Sequence, residues 1–266
     1  VNLIILNLNK DRAINDELLN FLININKKVL LLSENNIEFQ RYFIKRTEKL
    51  ADTFLNYFNN DIQYGAKYIL KRAMDISLTI IGILLTLPIS ILISIYIVLI
   101  DGMPFLIRQE RIGLHGKKFM MYKFRTMHKD AHSKREDLLD LNQRDDILFK
   151  IEDDPRLLKK SSFLRRFSLD EIPQFFNVIK GDMSLVGPRP LFKEDTAKYD
   201  TNYMRRLNVL PGITGLLQIS DRNAPEFETW YKYDIEYIEN WSLGLDLKII
   251  LKTPFSLIKN KNTKGI

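Results

Sequence analysis

Between Asp75 and Asp101 the chain runs 25 residues without a charge, ISLTIIGILLTLPISILISIYIVLI. At 1.5 Å per residue a straight helix of that length measures roughly 37 Å, more than the hydrocarbon core of a bilayer. Core helices of soluble proteins rarely run so long and so uniformly apolar. The segment therefore predicts a membrane-bound protein. Pro88 is its central residue. A proline removes one helix hydrogen bond and collides with the preceding turn, so a kink or a break is expected there. Both flanks are basic: Lys67, Lys71 and Arg72 before the segment, Arg108, Arg111, Lys117 and Lys118 after it. Lys/Arg-rich flanks stay on the cytoplasmic side. A simple span wants one poorer flank, whereas a hairpin that breaks at Pro88 returns to the same face. On the residues alone both forms stay open.

The apolar segment divides the chain of 266 residues into three parts. Residues 1–66 read as a partial α/β accessory module. VNLIILNL and KKVLLL are short runs of strand type, DELLNFLINI has helical spacing, and QRYFIKRTEKLADTFLNYF is read as a second helix. Two strands alone make a poor domain, so this piece is expected to be truncated or docked on something else. The chain opens on Val1, which reads as a fragment or a non-standard start, and VNLIIL is too short and lacks the basic lead of a signal peptide. Residues 67–104 form the membrane-associated part. Residues 105–266 read as a mostly helical domain with short β elements. In it RIGLHGKKFMMYKFRTM predicts a hairpin, MHKDAHSKREDLLDL a charged helix, SLDEIPQFFNVIKG a well-marked helix, and FETWYKYDIEYIENW and LDLKIILKTPFSLIK two amphipathic helices. Trp and Tyr beside Lys suit a membrane interface, and they suit an ordinary core equally.

Charge and composition narrow the chemistry. The formal net charge is +7, which fits anionic partners such as lipid headgroups or nucleotides. No nucleic-acid recognition motif accompanies it, so nucleic acid is not an expected partner. The absence of cysteine excludes disulfides, thiolate zinc sites and a thiol nucleophile. Ser168-Leu169-Asp170-Glu171 matches a capping box, with Ser168 as N-cap and Glu171 folding back, and Gly181 would end that helix. The acidic pair then either complements the helix dipole or serves chemistry. With Arg165 and Arg166 just upstream it has what a phosphate-handling site with a hard cation needs, and a carboxylate can itself attack phosphorus.

Other stretches carry weaker signals. In Gly187-Pro188-Arg189-Pro190 two fixed proline φ angles present Arg189 with little entropy left to lose, either to a phosphate or to solvent. Lys123 and Arg125 lie two apart, so a strand would put both on one face, either holding a diphosphate or solvated. His128 and His132 are four apart on the predicted charged helix but lack the third ligand of a metal motif, so a surface pair is expected. Asp153-Asp154-Pro155-Arg156 is expected to be a turn rather than a metal site.

Taken in order, KRAMD, RQERIGLHGKKFMMYKFRTM, DPR, LRRFSLDEIPQFFNVIKGDMSLVGPRP, PGITGLLQI and YIENWSLGLDLKI closely resemble the bacterial sugar transferases, the monotopic phosphoglycosyl transferases. The resemblance covers roughly residues 69–260. It implies transfer of a sugar phosphate from a UDP-sugar to undecaprenyl phosphate or another polyprenol phosphate. The products would be a polyprenyl diphosphate sugar and UMP, in the initiating step of surface polysaccharide or glycan synthesis. Asp170 falls on the family's nucleophile, with a covalent aspartyl-phosphosugar intermediate. Glu171 would transfer a proton or orient Asp170, and Mg²⁺ would lie beside Asp170. Lys123, Arg165 and Arg189 fall on phosphate or nucleotide contacts, and Asp234 on an active-site member near the metal. The resemblance also implies a re-entrant helix broken at Pro88, anchored among membrane lipids of the inner membrane with the catalytic domain on the cytoplasmic face. Where the family commonly has Ser before that proline, this chain has Leu87, and Thr86 or Ser90 is the nearest hydroxyl. The sugar, the pathway and the oligomeric state, a homo-oligomer among the options, are left open. The competing reading is a catalytically silent membrane adaptor of a polysaccharide assembly complex. The Asp170–Glu171 pair with Arg189 argues against it, since an adaptor needs none of the three.

Overall fold

A computed structural model describes residues 3–8, 28–33, 44–50, 53–58, 66–129, 131, 154–158, 161–196, 203–222 and 224–259. Four strands come first: β1 (Leu3–Leu8), β2 (Lys28–Ser33), β3 (Ile44–Leu50) and β4 (Thr53–Phe58). They form one mixed sheet in the order β1-β2-β4-β3, with β1 parallel to β2 and the other pairs antiparallel. The two apolar runs are strands, as expected. The described part of the stretch read as a second helix is instead two antiparallel strands, in which Leu50 pairs Thr53. Its Thr, Phe and Tyr residues favour strands, and β4 supplies the second partner that β2 would otherwise lack. The helix expected at DELLNFLINI lies outside the described residues.

The apolar segment belongs to one helix, α1 (Ala66–Asp101). Its mean hydropathy reaches 2.8 over its most apolar 18-residue window, of which only 11% is buried, unlike a core helix. The expected break at Pro88 is not present, because the helix continues through it. Pro88 cannot donate to the carbonyl four residues back. Hydroxyls on both sides bind the helix backbone: Thr86 donates to the Gly82 carbonyl at 2.7 Å, and Ser90 and Ser94 to those of Thr86 and Ser90 at 2.8 Å. Back-bonding of this kind bends a helix without ending it. One side of α1 is buried at Lys71, Asp75 and Thr79 and again at Ile93 and Ile97. The other side exposes large apolar residues, with Leu84 at 66% and Leu85 at 76%.

After α1 the chain forms the antiparallel hairpin β5 (Leu106–Ile112) and β6 (Lys118–Phe124), as read from the sequence. Helix α2 (Ser162–Arg166) leads into a 3₁₀ run (Leu169–Gln174) that continues as α3 (Phe175–Lys180). Gly181 ends α3 with φ +91°, as its position predicts. The short strand β7 (Ser184–Val186) is followed by α4 (Lys193–Thr196) and a second 3₁₀ run (Tyr203–Asn208). Strand β8 (Gly212–Thr214), parallel to β7, precedes α5 (Leu216–Ser220). The amphipathic pair α6 (Phe227–Glu239) and α7 (Leu243–Lys259) completes the domain. The charged helix expected around residues 127–141 lies largely outside the described residues, and with it His132.

The core sits between these elements. Met121, Val178, Met183, Val186, Tyr237 and Ile249 bring β6, α3, β7, α6 and α7 together. Ile93 and Ile97 of α1 pack with Phe124, Leu158 and Leu164 in a second cluster. The domain is thus mostly helical with a few short strands in small sheets, beside one long apolar helix.

Candidate active site

Three segments distant in sequence meet at the 3₁₀ run. Strand β6 supplies Lys123, the 3₁₀ run supplies Asp170 and Glu171, and the loop after β7 supplies Arg189. Lys123 Nζ donates to Glu171 Oε1 at 2.9 Å and lies 3.8 Å from Asp170 Oδ2. Arg189 Nη2 donates to the same Glu171 Oε1, also at 2.9 Å. Both carboxylates are buried, at 6% and 7% exposure. The expected capping box is not made. Ser168 stands at the N-cap position with φ 54° and ψ 25°, and its side chain makes no cap hydrogen bond. Glu171 turns to two half-buried cations instead, Lys123 and Arg189, so that both partners of each bond are charged. The left-handed backbone at Ser168 costs of order 1 kcal/mol, and its Oγ accepts a hydrogen bond from Arg222.

The loop that carries Arg189 is fixed by backbone contact. The Gly187 N–H donates to the Thr214 carbonyl and the Gly212 N–H to the Pro188 carbonyl, both at 2.9 Å. A Cβ on Gly212 would sit 2.1 Å from the Gly187 nitrogen, and one on Gly187 would sit 2.3 Å from the Leu210 carbonyl. The Pro-Gly-Ile-Thr-Gly stretch is therefore the bed on which the Gly-Pro-Arg-Pro loop lies. Two further arginines grip the loop from behind. Arg111 donates to the Pro190 carbonyl at 3.3 Å, with its guanidinium over the Phe192 ring. Arg206 donates to the Arg189 carbonyl at 3.0 Å.

The surroundings push the two carboxylates apart. Burial raises the Asp170 carboxyl; the Lys123 charge lowers it, the Glu171 charge raises it, and the net direction is upward. Burial also raises Glu171, but Arg189, Lys123 and Arg222 overcome it and hold this carboxyl well below the usual range. Burial lowers Lys123 against the pull of Glu171 and Asp170. Glu171 raises Arg189 despite burial. Burial lowers Arg165 and Arg222, opposed chiefly by Asp170 for the first and Glu171 for the second. Carboxylates separated in this way divide the labour at a reaction centre. Glu171 binds both cations directly, whereas Asp170 stands 3.8 Å from Lys123.

The remaining sequence-derived residues fall as follows. Arg165 feels both Asp170 and Asp154. Asp234 is turned to Arg206, with ion-pair distance 2.6 Å, and so stands one step behind the Arg189 loop rather than at Asp170. Arg125 does not share a face with Lys123. The strand ends at Phe124, and Arg125 turns to Asp101, 3.0 Å away. Asp154 is held by Arg156 through both oxygens, at 2.8 and 2.6 Å, in a turn as expected. His128 faces Asp101 at 3.2 Å. Sequence reasoning missed Arg222. It lies just beyond the PGITGLLQI stretch, and no local spacing ties it to Glu171.

The described residues contain no group of three or more His, Asp or Glu side chains placed to hold a metal. Asp170 offers one carboxylate, because the neighbouring Glu171 is taken up by Lys123 and Arg189. That donor set suits a cation held mainly by substrate phosphates, the usual mode for Mg²⁺, rather than an all-protein cage.

Comparison with known proteins gives this arrangement a lineage. A family model described as "Bacterial sugar transferase" matches residues 66–260. Galactosyl transferase CpsE of Streptococcus agalactiae is 43% identical over 248 residues, covering 90% of this chain and 52% of that protein. Undecaprenyl-phosphate galactose phosphotransferase of Salmonella typhimurium is 39% identical over 201 residues, covering 73% and 41%. UDP-glucose:undecaprenyl-phosphate glucose-1-phosphate transferase of Escherichia coli is 37% identical over 206 residues, covering 74% and 42%. The chain spans about half the length of these relatives, or less. The match covers every element from α1 to α7, the Asp170–Glu171 pair and the four basic residues around it, and on that ground the chain belongs to the bacterial sugar transferase family.

Proposed function

We propose that this chain transfers a sugar phosphate from a UDP-sugar to undecaprenyl phosphate, releasing UMP and forming a polyprenyl-diphosphate-linked sugar. The observation that carries the reading is one buried carboxylate, Asp170, set beside a second whose charge is bound to Lys123 and Arg189. A diphosphate brings negative charge that must be offset before an anionic nucleophile can approach it. Lys123, Arg165, Arg189 and Arg222 supply that offset in a water-poor setting, where each is worth more than in solvent.

The steps balance without a proton from the protein. An Asp170 oxygen attacks the phosphorus that bears the sugar, the bond to the bridging oxygen breaks, and UMP leaves with its electron pair. An oxygen of undecaprenyl phosphate then attacks the same phosphorus and displaces Asp170. Glu171 keeps Lys123 and Arg189 converged on the phosphates and remains ionised throughout. A divalent cation, Mg²⁺ in the first instance, would be held by Asp170 together with the diphosphate and would neutralise charge there. Chelation is expected to stop UMP release, and readdition of Mg²⁺ to restore it.

The setting we infer is the cytoplasmic face of the inner membrane. Both ends of α1 are tied to the catalytic domain, Lys71 to Asp246 and Asp101 to Arg125. No residue from Ile80 to Leu92 is buried, so this stretch, about 20 Å long, is the part of α1 most open to lipid. This supports a helix that enters the lipid and keeps both ends on one side. Exposed Leu247, Leu251 and Phe255 of α7 add an apolar face that lipid would cover. The test is UMP release from a panel of UDP-sugars with undecaprenyl phosphate. The reading predicts turnover of at least one sugar and loss of at least 10³-fold in Asp170→Asn, on the scale set by loss of a catalytic nucleophile. Undiminished turnover in that variant contradicts it.

A further inference from the structure

Helix α1 meets the catalytic domain through polar groups at both ends, and both sets of contacts stop beside the cations that share Glu171. At the N-terminal end Asp75 accepts hydrogen bonds from Ser184 Oγ at 2.8 Å and from the Leu185 N–H at 3.2 Å. Lys71 Nζ donates to Asp246 at 2.7 Å and to the Val186 carbonyl at 3.4 Å. The Tyr237 hydroxyl lies 3.0 Å from that carbonyl and 2.9 Å from Asp246. Every residue of β7 is thus held, and Gly187, Pro188 and Arg189 come next in the chain. At the C-terminal end Arg125 pairs with Asp101 at 3.0 Å and donates to the carbonyls of Asp101 and Gly102 at 3.0 and 2.6 Å. Arg125 follows Lys123 by two positions, at the end of β6.

Anchorage alone does not call for these groups. Lys71, Asp75, Asp246 and Arg125 are at most 3% exposed. A buried ion pair is often no more stabilising than well-packed apolar residues of similar volume, and its best-attested use is to fix a register. A slip of α1 by one turn would move these groups by about 5.4 Å and break every contact named. A helix lying in lipid, with few polar neighbours of its own, is the element most in need of such a stop.

We propose that Lys71, Asp75 and Asp101 are positioning residues through which the membrane helix sets the spacing of Arg189 and Lys123 around Glu171. This rests on the reading of those two cations as phosphate-binding groups. Anchor and active site are then one mechanical unit: β7 carries the position of the helix to Arg189, and the end of β6 carries it to Lys123.

The test is a double-mutant cycle on the full chain in phospholipid vesicles, read by calorimetric titration with inorganic pyrophosphate. Asp75→Asn is expected to weaken pyrophosphate binding about tenfold in the otherwise native protein, and less than twofold on an Arg189→Ala background, a coupling within the range for linked residues. A purely structural role would lower binding equally in both backgrounds and would overturn the proposal, as would absence of pyrophosphate binding by the native protein. Lys71→Met removes the contacts of the helix to the Val186 carbonyl and Asp246, so it gives the same cycle should Asp75→Asn not fold. Asp101→Asn against a Lys123→Met background reads the other end. UMP release in the same vesicles judges the activity separately. Native protein that shows the coupling but turns over no UDP-sugar would fail the proposed reaction and leave the positioning role standing.

Discussion

Glu171 accepts from Lys123 and Arg189 through a single oxygen, and that sharing sets its role. A group held ionised by two half-buried cations is poorly suited to carrying a proton and well suited to orienting them. Glu171→Gln is therefore expected to lower kcat/KM for UMP release by about 10- to 100-fold through weaker donor binding. The pH profile should not lose a limb. Loss of a limb would assign Glu171 to proton transfer instead. The Asp170–Glu171 pair was legible in the sequence because its signal is local. The partner of Glu171 was not, since Ser-Leu-Asp-Glu is also a sound capping box. Only the fold reveals that cations from β6 and the Arg189 loop outcompete the backbone. Arg222 was illegible for the same reason, as its link to the site exists only through the folded chain.

At the scale of elements, the site depends on how closely two backbones approach. Strands β7 and β8 pack with Gly212 against Gly187, where no side chain fits. Gly212→Ala would force atoms to 2.1 Å from the Gly187 nitrogen and 2.7 Å from its Cα. The expected cost is about 1–3 kcal/mol, the range for overpacking. It should appear as a lower Tm together with a raised KM, because Arg189 moves with the loop. An unchanged Tm would mean that the two strands separate freely. Helices α6 and α7 and the β5–β6 hairpin could be read from periodicity and turn residues, whereas the helix expected at SLDEIPQFFNVIKG is a 3₁₀ run over its first half. The β3–β4 pair could not be read this way, since Ile44–Phe58 also fits helical spacing and becomes strand only with β2 as a neighbour. Pro88 shows the limit of a residue rule. Proline predicts a break, but the segment around it is apolar and helical on both sides, and the helix continues.

For the whole molecule, α1 joins an exposed apolar outer face to a buried inner face that is polar at Lys71, Asp75 and Thr79 and apolar at Ile93 and Ile97. The second packs on the catalytic domain, and the first is the face that lipid would cover under the proposed reading. Replacing Leu84 and Leu85 together by Asp removes little packing, since both are exposed. Charge at membrane depth costs about 2.5–3.5 kcal/mol per residue on insertion scales. The double variant should lose flotation with vesicles while keeping its Tm. Continued flotation would locate the anchor elsewhere. Length and apolarity made this helix legible in the sequence, but the clamps at its ends were not, because Lys71, Asp75 and Asp246 look like ordinary surface charges until the chain folds.

The central claim is that Asp170 carries the sugar phosphate before the lipid receives it. The most direct measurement is UMP released on mixing protein with UDP-sugar in the absence of undecaprenyl phosphate. A burst of at most one UMP per chain is expected, with a phosphosugar mass increment on the peptide bearing Asp170, and neither in Asp170→Asn. UMP release that requires the lipid acceptor from the outset, with no modified peptide, would contradict the claim.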